Sequence, residues 1–464
     1  MQPTQWSTQK IQQCNKETGQ ALQSNEQVLA FYGQDFGKLF VSTPKAVSTP
    51  ETIETIQALL SFANQNKLPV TLRGKGLSQG GQSLPVSGGL TLHLEHFNQV
   101  LAKESDCIWV EANTSFSDLL EVTLQTLQIP SVLPYNCNLS AGGVLSAGGM
   151  GASSFKYGPL CSQVKALEVI LADGKVQVVD AQSPLFHACL AGQGQFGVIS
   201  KACLRLRPCQ KKVRTFFLVF LDQKQWLEAL CALRPHADFI EAFCSPAIQG
   251  LRLAGEKRQA FAQWLFSIQV SFEYTNNPPQ LQDMGGNITP WKVVHQQDEP
   301  IRSYLHRHDG RFDLMRLTGQ WELFHPWYEC FMTQKNLDDA LSELLEVLPL
   351  HYATLLQVVP VANNRQTGFF MLPDEDAVFE LMVLNPGVLP VFVKDCLETI
   401  RTLDARFLPH GGKRYLSGYL GADLPASWWQ AHYGKAYPLW QKLKKEYDPH
   451  CIFGSRLHSK ACDQ

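Results

Sequence analysis

Two glycine-rich stretches carry the clearest chemistry in this chain. The first is Arg73-Gly74-Lys75-Gly76-Leu77-Ser78-Gln79-Gly80-Gly81-Gln82, with Gly or Ser at five of ten positions. The second is Leu139-Ser140-Ala141-Gly142-Gly143-Val144-Leu145-Ser146-Ala147-Gly148-Gly149-Met150-Gly151. Small residues let successive backbone N–H groups converge on an anion without side-chain obstruction. Neither stretch holds the Lys-Ser/Thr pair of a P-loop, so the phosphate reading is a diphosphate gripped by neutral main chain. Either loop alone reads equally well as a tightly packed turn. Two of them, with a third glycine cluster at Gly192–Gly197, point to a dinucleotide cofactor. The third, G-Q-G-Q-F-G, has the spelling of a Rossmann fingerprint but the wrong setting. A helix is expected before it, over Ser183 to Ala191, and a strand after it, so no helix N-terminus follows to receive a pyrophosphate. Thirteen cysteines are scattered without a C-x-x-C pair or zinc spacing, and no metal site is expected.

The elements that position the first loop are legible. Ala46 and Val47 read as a strand, and Leu68 to Leu72 as another running into the loop. Between them Ile53, Ile56, Leu60 and Ala63 share one helical face. Thr49 reads as the N-cap, with Pro50 and Glu51 in the first turn. Further strands are expected over Leu90–Leu94, Cys107–Glu111 and Gly197–Pro208, and a helix from near Ser115. Leu167–Leu171 and Val176–Val179 read as a hairpin closed by Asp173-Gly174. After Pro208 the glycine loops stop and aromatics increase, with helices expected at 222–233 and 336–348. A strongly aromatic helix is expected around Trp428, Trp429, Tyr437 and Trp440. The organisation expected is a lead-in over 1–40, a cofactor domain over 41–210, a second domain over 211–412 and a closing segment over 413–464.

Composition narrows the partners. At about 150 residues per domain, 464 residues allow two or three domains. Lys plus Arg is 40 and Asp plus Glu is 42, a net charge of −2, which argues against a nucleic-acid binder. No apolar stretch approaches the roughly 20 residues of a membrane span. The polar N-terminus and unpaired cysteines are expected of a cytoplasmic protein with reduced thiols.

The motifs together resemble a known family. R-G-x-G-x-S-x-G-G-Q, then L-S-A-G-G-x-L-S-x-G-G, then Lys156-Tyr157-Gly158-Pro159, resemble the FAD-binding (PCMH-type) domain of the vanillyl-alcohol oxidase superfamily. Cytokinin dehydrogenases are the nearest likeness within it. Gly192–Ile199, His325-Pro326-Trp327, Phe239-Ile240-Glu241-Ala242 and the K-R-Y-L, H-Y-G and K-E-Y-D-P runs at 413–449 resemble that family's later motifs. The resemblance implies an α+β fold, with a two-lobed FAD-binding domain and an α+β substrate domain built on an antiparallel sheet. It implies FAD held by Leu72, Gly74, Lys75, Gly76, Leu77, Ser78 and Gln82. Tyr135, Ser140, Ser146 and Met150 would complete that grip, with Ile199 and Tyr415 flanking the ring system.

Three departures shape the chemistry expected. The family's flavin-linking histidine falls at Leu77, which has no nucleophilic atom, so FAD should be bound non-covalently. The family's catalytic aspartate falls at Tyr135, and its aromatic neighbour becomes Asn136. The S-P-G-Q that closes over the flavin is replaced near Gly454-Ser455-Arg456-Leu457. Moving hydride from a C–N or C–O carbon also needs a proton acceptor on the N–H or O–H. A tyrosine, with an ordinary pKa of about 10, accepts poorly. Glu241 and Tyr135 are therefore the catalytic candidates, with the proton acceptor open between them: Glu241 is the best remaining carboxylate, and the alternative role for Tyr135 is hydrogen-bond donor to substrate or flavin. Without the resemblance, Glu241 reads as a salt-bridged or solvated carboxylate, Tyr135 as pocket wall and His325 as structural. The function implied is an FAD-dependent oxidoreductase acting on a small molecule, with oxygen or a quinone-like acceptor. Genuine cytokinin dehydrogenase activity and a flavin-binding protein without turnover are the alternatives.

Overall fold

Strand patterning sorts the chain into three sheets. The computed structural model describes residues 5–284, 288–350, 352, 355–363, 368–375 and 377–458, so both outer segments expected above extend past the described residues. Strands β1 (Ala46–Ser48), β2 (Val70–Arg73) and β3 (Leu90–His93) form a parallel sheet in the order β1-β3-β2. Helix Ile53–Asn66 crosses from β1 to β2 and buries Ile56, Leu59, Leu60 and Ala63. Its cap is Thr52, not Thr49: the Thr52 hydroxyl accepts the Thr55 N–H at 3.3 Å. Both threonines precede the apolar face, but only Thr52 directly precedes Ile53.

The second sheet is antiparallel. It contains β4 (Val100–Lys103), β5 (Cys107–Glu111), β6 (Gln128–Pro130), β7 (Val164–Ile170), β8 (Val176–Asp180) and β9 (Val198–Pro208). Its order is β4-β5-β9-β7-β8, with β6 added to the far end of β9. The β7–β8 hairpin turns at Asp173-Gly174, where Gly174 takes φ +84°. A residue with a Cβ disfavours that left-handed conformation. Helix Phe116–Thr123 starts at Ser115, whose hydroxyl accepts the Asp118 N–H at 3.0 Å.

The third sheet has eight strands: β10 (Lys212–Phe220), β11 (Phe239–Ala254), β12 (Lys257–Tyr274), β13 (Lys292–Pro300), β14 (Tyr328–Thr333), β15 (Leu356–Ala362), β16 (Ala377–Val383) and β17 (Lys413–Arg414). Their order is β13-β10-β12-β11-β15-β16-β14-β17, and every pairing is antiparallel. Alternate residues therefore face opposite ways. Ala242, Cys244, Val358, Leu381 and Val383 pack with residues of helices Gln223–Leu233, Gln334–Val347 and Val393–Phe407 in one apolar core. Val359 and Met382 belong to a separate cluster that Tyr135 and Trp327 join.

The C-terminal stretch ties the sheets together. The aromatic helix expected as one is two, Ala426–Tyr433 and Tyr437–Tyr447, interrupted at Gly434 with φ +52°. Tyr433 stacks between Trp429 and Trp440 at 5.9 and 5.8 Å between ring centroids. Beyond them, buried Lys444 donates to Asp448 at 2.7 Å and to the Gln195 carbonyl at 2.8 Å. Asp448 in turn accepts the Ile452 and Phe453 N–H groups at 2.9 Å each. The Val70 N–H donates to the Ile452 carbonyl at 2.7 Å, which docks the chain end on β2. Buried charges held this way are compensated by hydrogen bonds on every side.

Candidate active site

The first glycine loop leaves β2 and is braced from behind by residues 33–40, the end of the stretch expected as a lead-in. The Phe36 N–H donates to the Gly76 carbonyl and the Gly37 N–H to the Ser78 carbonyl, each at 3.1 Å. Buried Asp35 accepts the Gly81 N–H at 2.9 Å and the Ser78 hydroxyl at 3.2 Å. Burial pushes its carboxyl up to about 6 despite those bonds. Gln82 is committed elsewhere: its side-chain amide donates to the Leu416 and Gly418 carbonyls at 2.8 and 3.0 Å. It therefore links this loop to the C-terminal segment.

The second loop meets the first face to face. Ser140 precedes helix Ala141–Ala147, and its side chain makes no cap bond to that helix. A Cβ on Gly74 would lie 2.4 Å from the Ser140 hydroxyl oxygen, and one on Gly143 would lie 2.8 Å from it. Glycine at both positions is what lets the backbones approach around that hydroxyl. At the far end, the Gly149 N–H donates to the Tyr415 hydroxyl at 2.9 Å. The Gln193 N–H donates to the Ser146 carbonyl at 2.9 Å, joining the third glycine cluster to the same wall.

These loops enclose a cavity of about 320 Å³ that also reaches Glu329, Gln357, Glu380 and Met382 on the eight-stranded sheet. Leu72, Gly74, Lys75, Gly76, Leu77, Ser78 and Gln82 line it from the first loop. Ser140, Ser146 and Met150 line it from the second, with Tyr135, Ile199 and Tyr415 further along. The cofactor-binding residues named from the sequence thus share one space. Two buried polar atoms on the loop side, Asn113 Oδ1 and Arg73 Nη1, have no partner among the described residues. An FAD phosphate and ribose would supply the groups this wall lacks, so the residues present fit the cofactor. Leu77 offers it only carbon.

The structure separates the two catalytic candidates. Glu241 does not line the cavity. It is buried on β11, where Arg307 Nε donates to one carboxylate oxygen at 2.7 Å and His308 Nε2 bonds the other at 2.9 Å. Burial pushes its carboxyl up, but the charges and hydrogen bonds of Arg307 and His308 outweigh it and hold the group at about 2. A carboxylate held so low is a poor proton acceptor near neutrality. The salt-bridged reading of Glu241 is the one this geometry matches. Tyr135 does line the cavity, with its buried hydroxyl unpartnered among the described residues. Burial, then the Glu241 and Glu380 charges, push that hydroxyl well above its ordinary value, so it donates and does not act as a base.

Sequence reasoning missed His308. It lines the cavity, meets the Tyr135 ring edge-on at 5.4 Å, and is oriented by Glu241. An ionised carboxylate only accepts, so Nε2 carries the hydrogen and the second ring nitrogen is the acceptor in the neutral imidazole. Its signal, H-R-H-D at 306–309, was one histidine pair among thirteen histidines. Also missed were Glu329, Gln357 and Glu380, which line the cavity from β14, β15 and β16. A lone Glu in the apolar run A-V-F-E-L-M-V could have revealed Glu380. His325 is structural: fully buried, it stacks on Phe36 at 3.9 Å, and burial pushes its imidazole down to about 4. No cluster of metal-ligating residues and no helix long and apolar enough to cross a membrane occur among the described residues.

Comparison with known proteins agrees with this geometry. Residues 44–180 match the family model described as FAD binding domain. Residues 262–456 match the one described as Cytokinin dehydrogenase 1, FAD and cytokinin binding. The chain is 26% identical over 473 residues to Cytokinin dehydrogenase 9 of Oryza sativa subsp. japonica, covering 92% of this chain and 88% of that protein. It is 26% identical over 431 residues to the Uncharacterized oxidoreductase ORF5 in fasciation locus of Rhodococcoides fascians, covering 90% and 94%. Against Cytokinin dehydrogenase 2 of Arabidopsis thaliana it is 25% identical over 475 residues, covering 94% and 92%.

Proposed function

From the premise that this chain is a cytokinin dehydrogenase-like, FAD-dependent oxidoreductase, we propose that it oxidises a C–N or C–O bond of a small molecule with His308 as proton acceptor. The observation that carries the proposal is the Glu241–His308 pair, whose imidazole lines the same cavity as the glycine loops. Bound FAD would supply the hydride acceptor, the part of the chemistry side chains cannot perform. The main chain of Gly74–Ser78 and the Ser140 hydroxyl would hold its phosphates, and Leu77 would leave it unattached.

The chain's own residues divide the remaining work. His308 takes the proton from the substrate N–H or O–H as hydride leaves the adjacent carbon, giving an imine or a carbonyl. Glu241 fixes the imidazole tautomer and orientation, the usual service of a carboxylate behind a catalytic histidine. Tyr135 donates a hydrogen bond to the reacting heteroatom. The apolar walls from Trp327, Met382 and Leu384 exclude water from the substrate end. The final acceptor in this reading is oxygen or a quinone-like molecule. A cytoplasmic location is also part of it, supported by buried thiols such as Cys14, Cys189 and Cys244, which form no disulfide among the described residues.

The test is anaerobic bleaching of the bound flavin by a panel of amines and alcohols. N6-isopentenyladenine comes first, because the C-terminal match is to a cytokinin-binding model. At least one member should bleach the flavin, and His308→Asn should slow that bleaching with flavin content unchanged. Full-rate bleaching in His308→Asn would remove histidine from the mechanism. No bleaching by any member would end the oxidoreductase reading.

A further inference from the structure

The cavity face of the eight-stranded sheet carries acid for which the chain supplies little counter-charge. Glu380 is fully buried, and neither of its carboxyl oxygens has a partner among the described residues. Glu329 is also buried and accepts the Ser417 hydroxyl. The cation beside it, Arg414, already donates from Nη1 to both Asp404 oxygens at 2.9 and 3.0 Å. Gln357, buried on β15 at the other side of β16, has a side-chain nitrogen unpartnered among the described residues, as is the Tyr135 hydroxyl.

Register brings these groups together. Gln357 and Glu329 each pair with Met382, and Glu380 lies two residues from Met382 on the same strand. Directly paired and two-apart residues of antiparallel strands share a face. Glu329, Gln357, Glu380 and Met382 therefore project together, and all four line the cavity. Burial raises both carboxyls, and the neighbouring Glu329 raises Glu380 further.

We propose that Glu380 and Glu329, with Gln357 beside them, form a subsite for a cationic nitrogen group of the substrate, an ammonium or an amidinium. Such a group brings the positive charge and the N–H donors that the two carboxyls lack, in the paired geometry a carboxylate accepts best. Trp327, Met382 and Leu384 give the apolar carrier of that group a surface to lie on. The cation is the non-reacting end: it anchors the substrate so that the carbon to be oxidised stays near Tyr135 and His308. Binding energy from a remote group serves orientation at the reacting centre. The inference rests on the flavin-dependent reading for the cavity's purpose, while its test reads binding alone.

The probe pair is benzamidine and benzamide, alike in shape and different in charge. Each is titrated into the flavin-containing protein near neutral pH, followed by flavin absorption and separately by calorimetry. Benzamidine should bind at least about tenfold more tightly. Glu380→Gln should abolish that preference and Glu329→Gln reduce it, both with flavin content unchanged. Should Glu380→Gln fail to fold, Glu329→Gln and the wild-type comparison still decide. Equal affinity of the two probes in the wild-type protein overturns the proposal. So does a preference that survives both substitutions, or release of flavin by Glu380→Gln, which would assign the carboxyls to the cofactor. Protein that purifies without flavin counts against the oxidoreductase reading instead, and calorimetry then reads the probe preference by itself.

Discussion

Glu241 and Glu380 are both buried on the same sheet, yet they occupy opposite electrostatic regimes. Glu241 on β11 meets a guanidinium and an imidazole and is held at about 2. Glu380 on β16 faces a second carboxyl and no cation among the described residues, and burial with that neighbour raises it well above the ordinary range. Burial is common to both, so the partner decides whether a buried carboxyl is ionised. The teaching is about role. A carboxylate with both oxygens engaged positions other groups, whereas one with free oxygens facing a cavity is available to a ligand.

The largest expected effect breaks the paired station. Glu241→Gln leaves half-buried Arg307 without its carboxylate and should cost about 2–3 kcal/mol of stability, read by chemical denaturation. A loss below about 1 kcal/mol would mean the pair is solvated. The pH dependence has a definite sign. Because the folded value lies below the ordinary 4.5, the stabilisation is complete above that value and is lost as pH falls toward about 2. Glu241→Gln should remove that acid-side dependence.

The opposite sign is expected at the unpaired station. Glu380 has a raised folded pKa, so its ionisation in the unfolded chain opposes folding at neutral pH and not in acid. Glu380→Gln should therefore stabilise the protein by roughly 1 kcal/mol near neutrality, with the gain shrinking toward pH 4. A destabilisation that persists at every pH would show that the carboxyl has a partner.

Smaller effects should appear on the cofactor side. Gly74→Ala places a Cβ against the Ser140 hydroxyl and should weaken FAD retention about tenfold, read by flavin fluorescence on dilution. Tyr135→Phe removes one donor. It should leave flavin content unchanged and slow anaerobic bleaching by about tenfold, the scale of one lost hydrogen bond. Unaltered bleaching would make Tyr135 pocket wall alone.

How legible each region was follows from its physics. The glycine loops declare themselves because main-chain chemistry demands unusual residues in a row, and the strand before Gly74 and the turn at Gly174 follow from local rules. The cap at Thr52 was displaced by three residues because two threonines offered the same local signal. The aromatic helix was read as one because Gly434 was outweighed by the apolar run around it. Glu241 was found through its motif, but the role expected of it was not. Arg307 and His308 lie 66 and 67 residues away, and only the fold shows that they close on its carboxylate. Gln357, Glu329 and Glu380 come from three separate strands, and their meeting depends on register between β14, β15 and β16.

The most direct measurement of the central claim is acid precipitation of the purified protein. The account predicts a yellow protein that releases FAD wholly into the supernatant, because the glycine loops grip it and Leu77 cannot bond to it. Flavin retained in the pellet would contradict the unlinked cofactor, and a colourless protein that takes up no added FAD would contradict the cradle itself.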